Sequence, residues 1–141
     1  MEALVNTRLK QFIYGTDDET LASYLGKELL RTESTIAFAE SCTGGLASSL
    51  VTDVPGSSEY LLGSAVTYSN MAKNKLINVS EESLEAYGAV SWQVACEMAQ
   101  GVRELFGTTY GVGITGIAGP GGATEISLSG LYIWPLPMLT A

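Results

Sequence analysis

No histidine occurs anywhere in the 141-residue sequence. That absence excludes Ser-His-Asp and Cys-His catalysts and histidine general acid–base chemistry. A nucleophilic enzyme built on this chain needs lysine, an acid or tyrosine as its base. Cysteine is nearly as scarce: Cys42 and Cys96 stand far apart in sequence, and without histidine they cannot build the usual zinc spacings. A disulfide between them is not expected in a reducing cytosol. Seven Lys and Arg against fifteen Asp and Glu leave a formal charge of −8. With no basic cluster there is no counterion-releasing surface for nucleic acid, and an anionic ligand has to be held by amides or single cations. No stretch stays apolar for the roughly 18 residues of a membrane span, and Met1–Lys10 lacks the apolar core of a secretory signal. The expectation is a soluble cytoplasmic protein with neither nucleic acid nor a membrane as partner.

What remains is a globular composition, 46% hydrophobic and 16% charged, of a length that suits one domain with one core. Thr16-Asp17-Asp18-Glu19 reads as a capping box, opening a helix from about Asp17 to Arg31 with Leu21, Tyr24, Leu25 and Leu29 on one face. A mainly apolar strand follows over Ser34–Glu40, then a helix over Thr43–Asp53 ended by Val54-Pro55-Gly56. Gly63–Tyr68 is a second strand and Met71–Ile77 a short helix. Ser80 caps a further turn-and-helix unit. Ser91–Phe106 is an amphipathic helix burying Val94, Met98, Val102 and Leu105. Thr109–Thr115 is a strand of small residues, Gly116–Gly122 a glycine-rich loop and Leu128–Trp134 a last strand. Strands alternating with helices predict a layered α/β domain with a parallel or mixed sheet, whose sites gather at the carboxyl ends of the strands.

Three polar clusters follow strands. Glu40-Ser41-Cys42-Thr43-Gly44-Gly45 places hydroxyls and a thiol on a strand-to-helix turn rich in free amides. Ser41 is a candidate nucleophile there, although Ser41 or Thr43 can equally serve as a plain helix cap, and Cys42 as a packed small hydrophobe. Tyr68-Ser69-Asn70-Met71-Ala72-Lys73 offers Lys73 as a base if burial lowers its pKa. The plain alternatives are a solvated lysine and a core or rim tyrosine. Gly111-Val112-Gly113-Ile114-Thr115-Gly116 matches the glycine spacing of a dinucleotide site. Its first two glycines fall inside a strand, however, and Pro120 stands where the crossover helix belongs. Thr115–Gly122 reads better as a loop approached closely by a ligand, or as a long turn.

Taken in order, Ala39–Gly45, Thr52–Ser58, Val66–Lys73, Gly88–Ser91 and Thr115–Gly122 resemble the successive signatures of the CinA C-terminal family, which includes stand-alone nicotinamide-nucleotide amidases. Leu9–Leu21, with Ile13-Tyr14-Gly15, resembles the linker that precedes this domain in two-domain CinA proteins, so residues 1–16 are expected to be linker-like and 17–134 to form the domain. The resemblance implies a three-layer α/β/α fold and hydrolysis of nicotinamide mononucleotide to nicotinic acid mononucleotide and ammonia, with no cofactor and no metal. It implies Ser41 as nucleophile, Lys73 as its base, and Tyr68 and Thr115 as supporting or substrate-contacting groups. Thr43, Gly44, Gly45, Asn70, Gly116, Gly119 and Gly121 become the expected substrate-binding positions. Phosphate and oxyanion are assigned to the amides near Thr43–Gly45 or to the Gly116 loop. The expected partners are the nucleotide and further copies of the chain, as a homo-oligomer such as a dimer.

After Gly122 the family continues with a Lys-Pro-Val-Gly strand and an arginine-bearing helix, whereas this chain runs Ala123–Ala141 with Pro135 and Pro137 interrupting strand pairing. The fold is therefore expected to miss its last strand and helix, and 135–141 to be a divergent tail. One permissible coding of Ile126–Ala141, read in a shifted frame, restores the Pro-Val-Gly strand, so the tail is expected to be a frameshift of a longer member. The alternative function is a non-catalytic, nucleotide-binding or dimerising remnant.

Overall fold

The structure, a computed structural model, describes residues 14–15 and 18–117 together with the backbone of 130–135. The proposed cap residues Thr16 and Asp17, most of the linker-like 1–16 segment, the 118–129 link with its glycines and residues 136–141 lie outside the described residues.

Helix α1 spans Leu21–Arg31 and starts four residues later than its sequence suggests. Its capping box is Thr20 with Ser23: the Ser23 amide donates to the Thr20 hydroxyl at 3.1 Å and the Thr20 amide to the Ser23 hydroxyl at 3.0 Å. The later start leaves Leu21 and Tyr24 outside, while Ala22, Leu25, Gly26 and Leu29 turn inward. At the other end Arg31 pairs with Glu28 one turn earlier at 2.8 Å, an exposed pair of small energetic weight.

Strand β1, Ile36–Glu40, is buried at all five positions because it lies inside the sheet with helices over both faces. Alternation along it feeds two cores. Ile36 and Phe38 pack with Leu29, Val51, Tyr60 and Ile114 beneath α1 and α2, the latter helix spanning Leu46–Thr52. Ala37 and Ala39 face the opposite core with Ile77, Val79, Val94, Met98 and Val102.

A 3₁₀ turn at Ser57–Glu59 leads into β2, Leu61–Val66. Helices α3, Asn70–Ile77, and α4, Glu81–Tyr87, follow, capped by the hydroxyls of Ser69 and Ser80. The long helix α5, Trp92–Phe106, is capped by Ser91 and ends on Gly107 in the left-handed conformation. Its buried stripe includes Val94, Met98 and Val102 as expected, but Leu105 is exposed and Ala95, Ala99 and Gly101 complete the contact. Strand β3, Tyr110–Ile117, runs beneath it. A Cβ at Gly111 or Gly113 would stand 2.0 or 2.1 Å from the carbonyl oxygen of Ala99 or Ala95. These two glycines therefore let α5 settle on the sheet, which gives the dinucleotide-like spacing a packing cause.

The strand order is β2-β1-β3-β4, with β1 parallel to β2 and β3, and β4, Gly130–Pro135, antiparallel to β3. The result is an α/β fold with a mixed sheet between a layer of α1 and α2 and a layer built on α5. Among the described residues, no helix is long and apolar enough to cross a membrane. Glu40 is level with Val66 on one side and Ile114 on the other, so β1, β2 and β3 deliver their carboxyl ends to one place. Ile117 pairs with Gly130, so β3 ends and β4 begins at that same end of the sheet.

Candidate active site

Two of those strand ends supply the central contact. Ser41 follows β1 directly; its amide donates to the Ile114 carbonyl at 2.9 Å, which carries the β1–β3 ladder one residue past the strand. Lys73 sits in the first turn of α3, after β2, and reaches back so that Nζ lies 3.0 Å from Ser41 Oγ, 2.9 Å from the Thr67 carbonyl oxygen and 3.3 Å from that of Tyr68. Ser41 is 8% exposed and Lys73 1%.

Three acceptors around one nitrogen suit both protonation states. An ammonium would donate to all three oxygens. A neutral amine would give its two protons to the carbonyls of Thr67 and Tyr68 and turn its lone pair toward the Ser41 hydroxyl. Burial favours the neutral amine: it pushes the Lys73 pKa below the ordinary lysine value, with Cys42 acting the other way. No carboxylate forms an ion pair with Lys73 among the described residues. The positive end of α3 also lies at Ser69–Asn70, beside the amine, and disfavours the charged form.

The turn beyond Ser41 is organised by a residue the sequence did not single out. Glu40 is fully buried; its Oε2 accepts the Gly45 and Ala47 amides at 3.2 and 3.0 Å, and its Oε1 the amide and hydroxyl of Ser48, each at 2.8 Å. Burial alone would raise this carboxyl, but the neighbouring Thr43 hydroxyl and the amides and hydroxyl of the turn outweigh it and hold the pKa below the usual carboxylate range. Thr43 Oγ1 is itself buried without meeting hydrogen-bond geometry to any described partner. Only chain topology could have signalled Glu40 in advance, since an acid at the end of a five-residue apolar strand is carried inside when that strand is central.

Glu40 revises the expected anion site. The Gly44 amide donates to the Ser41 carbonyl at 3.1 Å, the Leu46 amide to the Thr43 carbonyl at 3.1 Å, and those of Gly45, Ala47 and Ser48 to Glu40. The start of α2 is thus already filled. Gly44 and Gly45 serve instead as left-handed turn residues, with φ of 62° and 104°. The Cys42 and Thr43 amides carry no hydrogen bond to a described residue.

The other expected residues fall in different places. Tyr68 touches Lys73 only through its carbonyl, and its side chain is 74% exposed. Asn70 is exposed at the start of α3. Thr115 is buried, and its hydroxyl donates to the Ala89 carbonyl at 2.8 Å, bracing the 88–91 segment against β3. Gly116 belongs to β3, opposite Leu131, and not to a loop, because β3 continues to Ile117 and is paired by β4. Gly119 and Gly121 lie outside the described residues. Cys42 packs against the core under α1 and α2.

A match to the CinA C-terminal domain covers residues 18–134. CinA-like proteins of Desulforapulum autotrophicum and Gloeothece citriformis are 50% and 48% identical over 87% and 84% of the chain, which covers 29% and 28% of theirs. The chain therefore spans under a third of the length of these curated relatives. Among solved structures, the competence/damage inducible protein CihA from Agrobacterium tumefaciens is 32% identical, with a TM-score of 0.75 over 87% of this chain and 82% of its own. A CinA superfamily protein from Escherichia coli is 29% identical, with a TM-score of 0.77 over 96% and 87%. The family match runs from just before α1 into β4, and the chain belongs to the CinA C-terminal domain family.

Proposed function

We propose that this domain is an amidohydrolase that converts nicotinamide mononucleotide to nicotinic acid mononucleotide and ammonia by acyl transfer through Ser41. The observation that supports the reading is the buried 3.0 Å contact between Ser41 Oγ and Lys73 Nζ, a nucleophile and base in direct contact in a chain without histidine. Neutral Lys73 takes the Ser41 proton as Oγ bonds to the carboxamide carbon. The carbonyl oxygen becomes an oxyanion, and the amides of Cys42 and Thr43, which meet no acceptor among the described residues and lie on the residues that follow the nucleophile, are the donors suited to it. Collapse breaks the C–N bond, and Lys73 returns its proton to the departing ammonia. Water then attacks the acyl-enzyme with Lys73 again as base, releasing the nicotinate and restoring the Ser41 hydroxyl.

Tyr68 and Asn70, exposed on the segment that carries Lys73, serve in this reading as substrate contacts at the rim. Incubation of purified protein with nicotinamide mononucleotide, with both products assayed, tests it. Stoichiometric release of ammonia and nicotinic acid mononucleotide supports the proposal. Saturable binding with no product points instead to the non-catalytic, ligand-binding alternative.

A further inference from the structure

We infer that Glu40 is a positioning residue for the reaction proposed above, holding the 41–45 turn so that Ser41 meets Lys73 and the Cys42 and Thr43 amides stay free for the oxyanion. The inference rests on that reading for its chemistry, but the geometry is separate from the dyad.

Glu40 is tied at both ends. Its carbonyl accepts the Thr67 amide at 2.7 Å, and the Thr67 carbonyl in turn holds Lys73 Nζ. Its carboxylate gathers the Gly45 and Ala47 amides and both donors of Ser48. The residue between these two anchors and the glycine turn is Ser41. One side chain thus fixes the start of α2 relative to the end of β1, while its own main chain fixes the carbonyl that orients the base. A buried carboxylate satisfied by four donors is strongly bound in its ionised form. It also fills the helix terminus that would otherwise compete for the substrate's negative charge.

The Glu40→Gln substitution keeps the shape but replaces one acceptor oxygen by an NH₂ that opposes the α2 amides. The test measures, in the full chain, the rate at which a fluorophosphonate labels Ser41 across pH, together with kcat and KM for nicotinamide mononucleotide and the thermal melt. The expected result is a folded variant whose plateau labelling rate and kcat fall by about tenfold or more, with KM and the midpoint of the pH profile little changed and with partial rescue by Glu40→Asp. A loss of fold alone would not give that pattern. Labelling and turnover within about twofold of the parent would overturn the inference. If Glu40→Gln does not fold, Ser48→Ala decides: it removes one of the four donors, and a folded variant with about threefold slower labelling supports the inference, whereas an unchanged rate overturns it. A parent protein that is labelled at Ser41 but does not hydrolyse the nucleotide sinks the proposed substrate and leaves Glu40 to be judged on labelling alone. A parent that is not labelled at all overturns both.

Discussion

Lys73 Nζ stands 2.9 Å from the carbonyl oxygen of Thr67, six residues back along its own chain. The lysine therefore folds over the start of its own helix, and the segment that carries it also supplies two of its three acceptors. The amine is placed with little dependence on any bound ligand, which allows the dyad to be tested residue by residue.

Ser41→Ala and Lys73→Met should each lower kcat for nicotinamide mononucleotide by about a thousandfold, and the double variant little further, because the proposed mechanism uses the two groups as one unit. Steady-state kinetics on the three variants check this. Additive losses would show that the two side chains act separately.

The pH dependence follows from the lowered Lys73 pKa. The proposed mechanism uses the neutral amine, so kcat/KM should rise with pH through a midpoint below the ordinary lysine value of 10.5. Stability should respond in the same direction. Between the folded-state pKa and the unfolded-state value the unfolded chain binds the proton more tightly, so in that window stability increases as pH rises. Lys73→Met should remove this part of the slope and melt at or above the parent temperature at pH values below the folded-state pKa, where the buried amine costs most. Melts across pH for both proteins decide the point, and an identical slope in the two would show that Lys73 does not titrate with folding.

Cys42→Ala should retain turnover within about threefold, since the thiol packs on the core beneath α1 and α2 and the proposed reaction asks only for the main-chain amide of this residue. An inactive Cys42→Ala beside an active Ser41→Ala would transfer the nucleophile's role to the thiol.

Gly113→Ala should destabilise the domain by about 1–3 kcal/mol or more, because the added methyl meets the Ala95 carbonyl oxygen at 2.1 Å and neither backbone can yield cheaply. Denaturant unfolding measures it. A change of only a few tenths would mean that α5 can lift from β3 without loss.

Much of this architecture is legible from periodicity: the strands expected over Ser34–Glu40, Gly63–Tyr68 and Thr109–Thr115 correspond to β1, β2 and β3, with the ends of β2 and β3 displaced to Val66 and Ile117, and the helix behind Ser91 follows from apolar spacing and its cap. The finer misplacements share a cause. Leu21, Tyr24 and Leu105 have the right spacing for a buried face, but α1 packs Ala22, Leu25 and Leu29 against the core and α5 meets β3 through small residues, so all three stay exposed. In the site, the motif order draws attention to Ser41 and Lys73, yet local sequence cannot show that they meet, since they lie on different strand-to-helix connections. Glu40 stayed invisible because the same letter at the end of a strand is a solvated acid in one topology and a buried helix cap in another. Tyr68 misled for the converse reason, contributing its carbonyl while its ring points out.

The meeting of Ser41 and Lys73 has a kinetic consequence. Ser41 follows β1 and Lys73 follows β2, and the register of Glu40 with Val66 is what brings the two connections together. No local segment of the chain contains the pair. During refolding the nucleophile should therefore stay inert while individual helices form and become reactive only when the parallel β1–β2 ladder closes, an inherently non-local and slow event. The time at which Ser41 first accepts a covalent label is thus a clock for the assembly of the sheet.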